Sequence, residues 1–290
     1  GEALFKSEMA ALHEELGALA AGQQRLGSQI DVLVDKKKAA ETKEQALEQN
    51  RIDPADVTRT GKVLGTGAHG IVTVVCYAGG KAALKSLDLS GLTVEQRNKV
   101  YRAFMGELRI MCALRHPCVI DVHGAFEEGD HLHLIMALAP NGDVRQMLVR
   151  YEEEQKDFDD EYWELVTRLA EQTVAGIRYL LGKGILHHDL KAQNLLLDEN
   201  YKIKVSDFGL AKATDEVRFG AGSTSEGVQK GSSLWMSPEY LNGSPYDEKC
   251  DVWSLGVVIY ILLSGRPPFY GDTDQKTMSA AKKGRYTYDG

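Results

Sequence analysis

The 290-residue sequence has no apolar run near the roughly 18 residues needed to cross a bilayer, so it is not expected to span a membrane. Its four cysteines, Cys76, Cys112, Cys118 and Cys250, are scattered and form no C-x-x-C pair. That argues against a disulfide framework or a zinc site and fits a reducing, cytoplasmic compartment. Positive charge is also in short supply. With 34 Lys and Arg against 42 Asp and Glu, the formal net charge is -8, the wrong sign for a general nucleic-acid binder or an anchor on anionic lipid. No secretory signal opens the chain, and no D-x-[DN]-x-[DN]-G calcium loop occurs in it. The hydrophobic share of 43% and charged share of 26% are those of a soluble globular protein long enough for a large core.

Residues 1–50 differ from the rest. Phe5, Met9, Leu12, Leu16, Leu19, Gln23, Leu26, Ile30 and Leu33 alternate by four and three, the spacing of a coiled-coil seam. Two readings stand: a coiled coil that self-associates or takes a helical partner through residues 5–33, or one amphipathic helix packed on the rest of the chain or on further sequence. Gly17, Gly22 and Gly27 weaken both by about 1 kcal/mol each relative to alanine. From Asp35 the apolar stripe fades into a solvated helix or linker, and Asp53-Pro54 closes the helical run. β-rich segments are expected at Val57–Leu64, Ile71–Tyr77, Lys81–Leu87, Val119–Glu127 and His131–Leu138, with a helix over Val94–Leu114. From Gly142 onward the pattern is mainly helical. The expected fold is α+β in two lobes, about 57–138 and 142–290.

Four motifs carry chemistry. Gly65-Thr66-Gly67-Ala68-His69-Gly70 lies between two β-rich segments, where glycines let backbone N–H groups approach phosphate. A glycine-rich hairpin turn is the plain alternative. Lys85 sits in an apolar strand, where a buried ammonium needs an acid or a ligand; Glu107 on the next helix is a candidate. His187-His188-Asp189-Leu190-Lys191-Ala192-Gln193-Asn194 offers three separate functions in one loop. Asp189 can orient a hydroxyl and take its proton, Lys191 can neutralise a moving phosphoryl group, and Asn194 can ligate magnesium. Asp207-Phe208-Gly209 adds a second metal ligand, Asp207. Each motif alone could be a solvated loop or a tight turn.

Taken together, in this order and spacing, they resemble the protein kinase family over roughly Val57 to the end. Leu114-Arg115-His116-Pro117, Gly231–Glu239 and Asp251–Gly256 extend the match. The resemblance implies transfer of the ATP γ-phosphate to a protein hydroxyl with magnesium. It implies that Leu64, Gly65, Gly67 and Gly70 cover the nucleotide, and that Lys85 binds phosphates and pairs with Glu107. Val72, Ala83 and Leu196 would enclose the adenine, with Met136 as gatekeeper and Ala137 and Ala139 as its hydrogen-bonding hinge. Asp143 would reach the ribose or a substrate side chain, Asp251 would brace the catalytic loop, and Met111, Val122, His187 and Phe208 would stack. Lys191 and Ser232 resemble the serine/threonine pattern. Pro245–Asp289 looks most like calcium/calmodulin-regulated and calcium-dependent kinases, while Ile52-Asp53-Pro54 is closer to tyrosine-kinase-like ones.

Departures from the family matter too. His188 replaces the usual arginine, implying activity independent of activation-loop phosphorylation at Thr214, Ser223, Thr224 or Ser225. Gln193 stands where basophilic kinases often carry glutamate, so selection for substrate arginine should weaken. Ser237 replaces an alanine. Glu239 lacks an evident mate before Gly290, where the second lobe is expected to be cut short. The alternative function is a pseudokinase scaffold, although Lys85, Asp189, Asn194 and Asp207 are all retained.

Overall fold

The computed structural model describes residues 50–67, 70–154, 159–207, 212–213, 232–245 and 247–284. The expected coiled-coil seam, His69, Phe208 and the candidate phosphorylation sites lie outside these residues.

Five antiparallel strands build the small lobe: β1 (Thr58–Gly67), β2 (Gly70–Tyr77), β3 (Gly80–Asp88), β4 (Val122–Glu128) and β5 (His131–Ala137). Their order is β1-β2-β3-β5-β4. Strand side chains alternate between faces, so β3 divides its residues. Ala82 and Leu84 join Ile52, Val75, Phe126 and Ile135 in one apolar cluster. Ala83 and Lys85 line the cleft beneath the sheet. Helix α1 (Val94–Ala113) connects β3 to β4. It begins with a reciprocal cap: Gln96 N–H donates to Thr93 Oγ1 at 3.3 Å, and Thr93 N–H donates to Gln96 Oε1 at 2.9 Å.

The chain enters the sheet earlier than its strand pattern indicates. Ile52 N–H donates to the Ala125 carbonyl (3.0 Å), and Ala125 N–H to the Asn50 carbonyl (2.9 Å), so Asn50–Ile52 lies parallel to β4 as a short strap. Gly124 permits this approach, because a Cβ there would overlap the Asn50 carbonyl oxygen and the Ile52 side chain. Pro54 follows this strap. It opens the 3-10 turn Pro54–Asp56, which Asp53 caps by accepting from Ala55 N–H at 2.9 Å.

The expected strand Val119–Glu127 is shorter than its apolar pattern. Cys118–Ile120 leaves the sheet and pairs instead with the large lobe: Val205 N–H donates to the Cys118 carbonyl (2.8 Å) and Ile120 N–H to the Val205 carbonyl (3.0 Å). Apolar residues buried against either lobe look alike in sequence.

The large lobe contains α2 (Val144–Glu153), α3 (Asp160–Gly182), α4 (Pro238–Leu241), α5 (Lys249–Ser264) and α6 (Asp274–Lys282). Strand β6 (Ile185–Leu186) pairs with β9 (Lys212–Ala213), and β7 (Leu195–Leu197) with β8 (Ile203–Val205). Tyr162, Val166, Leu169, Thr173, Ile177 and Leu180 form the buried stripe of α3 at helical spacing. Tyr162 Oη donates to the Leu262 carbonyl at 3.2 Å, tying α3 to α5. The fold is the expected α+β, a β-sheet lobe followed by a helical one.

Candidate active site

A cleft of about 420 Å³ opens between the lobes. Leu64, Gly65, Gly70, Val72 and Ala83 form its roof, and Leu196 on β7 lies across from them. Met136, Ala137 and Ala139 line the side where β5 leaves the sheet. Gly70 has φ +110°, and a Cβ there would overlap the Ser86 carbonyl oxygen, so the turn after β1 requires glycine. Gly67 faces Gly70 across this hairpin.

The polar end of the cleft holds Lys85, Asn194 and Asp207. Lys85 is nearly buried, and its Nζ lies 3.5 Å from Asp207 Oδ1. That contact supplies the acid that a lysine in an apolar strand needs. Glu107 lies within α1, but its side chain is outside the described residues.

The loop after β6 is fixed from beneath. Buried Asp251 on α5 accepts the His187 N–H at 2.6 Å and the His188 N–H at 2.9 Å. Asp189 N–H donates to His187 Nδ1 at 3.3 Å, so Nε2 carries the ring proton and donates it to the Ser206 carbonyl at 2.9 Å. Asp189 is held asymmetrically. Its Oδ2 accepts from Lys191 Nζ at 2.6 Å and from Asn194 Nδ2 at 3.1 Å, while Oδ1 has no partner among the described residues. Asn194 Nδ2 also donates to the Asp189 carbonyl at 2.7 Å. Both amide protons are thereby used, which leaves the side-chain oxygen of Asn194 as its free acceptor.

The protein kinase domain family matches residues 58–288. The chain belongs to the protein kinase family. Over 244 residues the kinase domain is 30% identical to serine/threonine-protein kinase 33 of Mus musculus, covering 79% of this chain and 46% of that protein. It is 32% identical over 236 residues to calcium/calmodulin-dependent protein kinase type 1 of Macrobrachium nipponense, and 31% over 236 residues to the protein of the same name in Caenorhabditis elegans. Each of these alignments covers 78% of this chain and 62% of the relative. The chain thus spans about half to three-fifths of the length of these curated relatives.

The kinase domain brings together nearly all the residues its sequence singled out for the nucleotide. Asp143 lines the cleft too, but its Oδ1 accepts Gln146 N–H at 2.9 Å and so caps α2. The Asp-x-x-Gln capping box was a readable signal for this second role. Burial pushes the Asp143 carboxyl above its ordinary range, opposed by the backbone N–H groups of Gln146 and Arg145. Met111, Val122 and His187 are each buried. Gln146, Arg150 and Ser206 also line the cleft, and no motif marked them.

Glu239 does find a mate, one its sequence context did not announce. Cys250 Sγ lies 3.5 Å from Glu239 Oε1 and 2.9 Å from Ser237 Oγ, which also accepts Tyr240 N–H at 3.3 Å. One direction satisfies every group: Tyr240 N–H to Ser237, Ser237 O–H to Cys250, Cys250 S–H to Glu239. Burial, chiefly, pushes the Cys250 thiol up to about 12, so it keeps the proton this chain needs.

Proposed function

We propose that the intact protein is a serine/threonine kinase using ATP and magnesium. The observation carrying this reading is the convergence of Lys85, Asn194 and Asp207 at one end of the cleft, with Asp189 hydrogen-bonded to Asn194. The names of the relatives support the serine/threonine assignment.

The residues fit the nucleotide. Val72, Ala83 and Leu196 provide apolar walls for a flat base, and Ala139 N–H has no acceptor among the described residues. They also fit magnesium, which typically takes one or two protein oxygens and fills its other positions from phosphate and water. Asp207 and the free oxygen of Asn194 would supply those two. When bound, magnesium ATP supplies the phosphoryl group and spreads its charge over the metal.

This chain's own residues then hold and move charge. Lys85 binds phosphate oxygens and gives up part of its contact with Asp207. The substrate hydroxyl donates to Asp189 Oδ1, the oxygen left open by Lys191 and Asn194. As the acceptor oxygen bonds to phosphorus and the bridging oxygen departs, Asp189 takes the hydroxyl proton. Lys191, already 2.6 Å from Asp189, offsets the negative charge of the phosphoryl group in transfer.

The test is phosphate transfer from labelled ATP to a generic protein substrate, using the full-length protein. Asp189→Asn should lower the rate by roughly 10²–10⁴-fold, the range of general-base loss, and Lys85→Met should also remove activity. Equal signal in wild type and Asp189→Asn would sink the kinase reading and leave a binding scaffold in its place.

A further inference from the structure

Ser206 stands immediately before Asp207, buried at 6% exposure where β8 meets the cleft. All three of its polar groups are engaged. Its N–H donates to the Asn194 carbonyl at 2.9 Å, and its Oγ–H donates to the same carbonyl at 3.1 Å. Its own carbonyl accepts the His187 Nε2–H at 2.9 Å. The two bonds to Asn194 differ in kind. The backbone bond continues the β7–β8 ladder one step past Leu195 and Val205, and any residue but proline would make it. The hydroxyl bond belongs to the side chain alone. It fills the second lone pair of the Asn194 carbonyl, so one residue grips Asn194 twice.

These bonds close a circuit. Asp189 N–H donates to the His187 ring, the ring donates to Ser206, Ser206 donates to Asn194, and Asn194 Nδ2 donates back to Asp189. His187 is fully buried and Asn194 is 5% exposed, so the bonds form in a low-dielectric interior where they are stronger. Asp207, the next residue, is held at φ 65°, a backbone conformation that persists where its surroundings over-determine it. With its N–H, hydroxyl and carbonyl all held, Ser206 is the fixed base from which Asp207 enters the cleft.

Resting on the kinase reading above, we propose that the Ser206 hydroxyl is a positioning group for magnesium, setting the spacing between the two assigned ligands, Asn194 and Asp207. Asn194 precedes β7 and Asp207 comes two residues after β8. Each of these strands has only three residues, so the ligands stand at the open end of a short ladder. One backbone bond there leaves that end free to fray, and the hydroxyl adds the second bond that closes it. Magnesium demands near-ideal octahedral geometry, so a shift of one ligand against the other costs affinity. Groups that orient metal ligands are typically worth about 10–100-fold in affinity. Ser206 holds the Asn194 backbone and not the ligating oxygen itself, which places its effect near the lower end of that range.

Thermal melting of the full-length protein tests this, with a non-hydrolysable ATP analogue present and magnesium titrated from a chelated start. Ser206→Ala should raise the magnesium concentration at half-maximal shift by about tenfold. Its binding of the analogue without magnesium should stay within about twofold of wild type, since the apolar walls and Lys85 are untouched. Ser206→Thr keeps the hydroxyl and should bring the magnesium midpoint back to within about twofold. Ser206→Cys keeps the volume but is a weak donor, so it should behave like alanine; it keeps the test decisive if the extra methyl of threonine does not fit. In the transfer assay the loss in Ser206→Ala should be greatest at low magnesium and shrink as magnesium is raised. A magnesium midpoint unmoved in both Ser206→Ala and Ser206→Cys overturns the proposal. Equal weakening with and without magnesium also overturns it, because the hydroxyl would then touch the nucleotide directly. So does full recovery in Ser206→Cys, which would mean that packing alone is at work. A wild-type protein with neither a nucleotide shift nor phosphate transfer would instead overturn the kinase reading beneath it.

Discussion

His188 and Asp207 stand in the left-handed backbone region, at φ 63° and 65°, although neither is glycine. Such residues cost about 1–2 kcal/mol each and persist where surrounding bonds over-determine them. At His188 the bond is visible, its N–H donating to Asp251. The backbone of the loop is therefore set from α5, without an arginine side chain. A histidine has no guanidinium fork to grip a phosphate in two places. Phosphatase-treated protein is accordingly expected to keep its kinase activity within about twofold; a loss beyond tenfold that phosphomimetic substitution at Thr214, Ser223, Thr224 or Ser225 restores would refute this. The identities of Lys85, Asp189, Asn194 and Asp207 were legible because their order along the chain is fixed by the chemistry they share. The free oxygen of Asp189 and the Ser237–Cys250–Glu239 relay were not, since hydrogen-bond direction depends on three-dimensional neighbours.

Among the elements, β1 to β3, α1 and β5 could be read to within three residues of their ends, because alternation and caps are local signals. Residues 118–120 could not, because their partner β8 lies some 85 positions further on. The strap Asn50–Ile52 was equally hidden, since three residues are too few to show a period. It contributes Ile52, 4% exposed, to the outer cluster of the sheet. Gly124→Ala should force the strap off β4. Losing that burial is expected to lower unfolding stability by about 1.5–3 kcal/mol, measured by urea denaturation. An unchanged midpoint would mean that the strap adds nothing.

At the scale of the molecule, the lobes meet through the Cys118–Ile120 pairing with β8 and through the segment following β5. A nucleotide lying between Ala83 above and Leu196 below would bind the folded protein and not the unfolded chain. At a hundredfold excess over Kd it should add about 2.7 kcal/mol to stability, seen as a raised melting temperature. Asp207→Asn should lose the magnesium-dependent part of that rise, and a wild-type shift indifferent to magnesium would contradict the assigned ligands. The two-lobed layout was legible because helical and strand periodicities occupy separate halves of the sequence. The cleft was legible only through its motifs, because its walls come from both lobes and lie far apart in the sequence.

The strap also has a consequence for solubility. Among the described residues β4 is the outer strand of the sheet, and open edges invite pairing with other molecules. Asn50–Ile52 occupies the middle of that edge and uses both backbone groups of Ala125. A protein trimmed to start at Asp53 would keep every cleft residue yet expose a template for sheet-to-sheet aggregation.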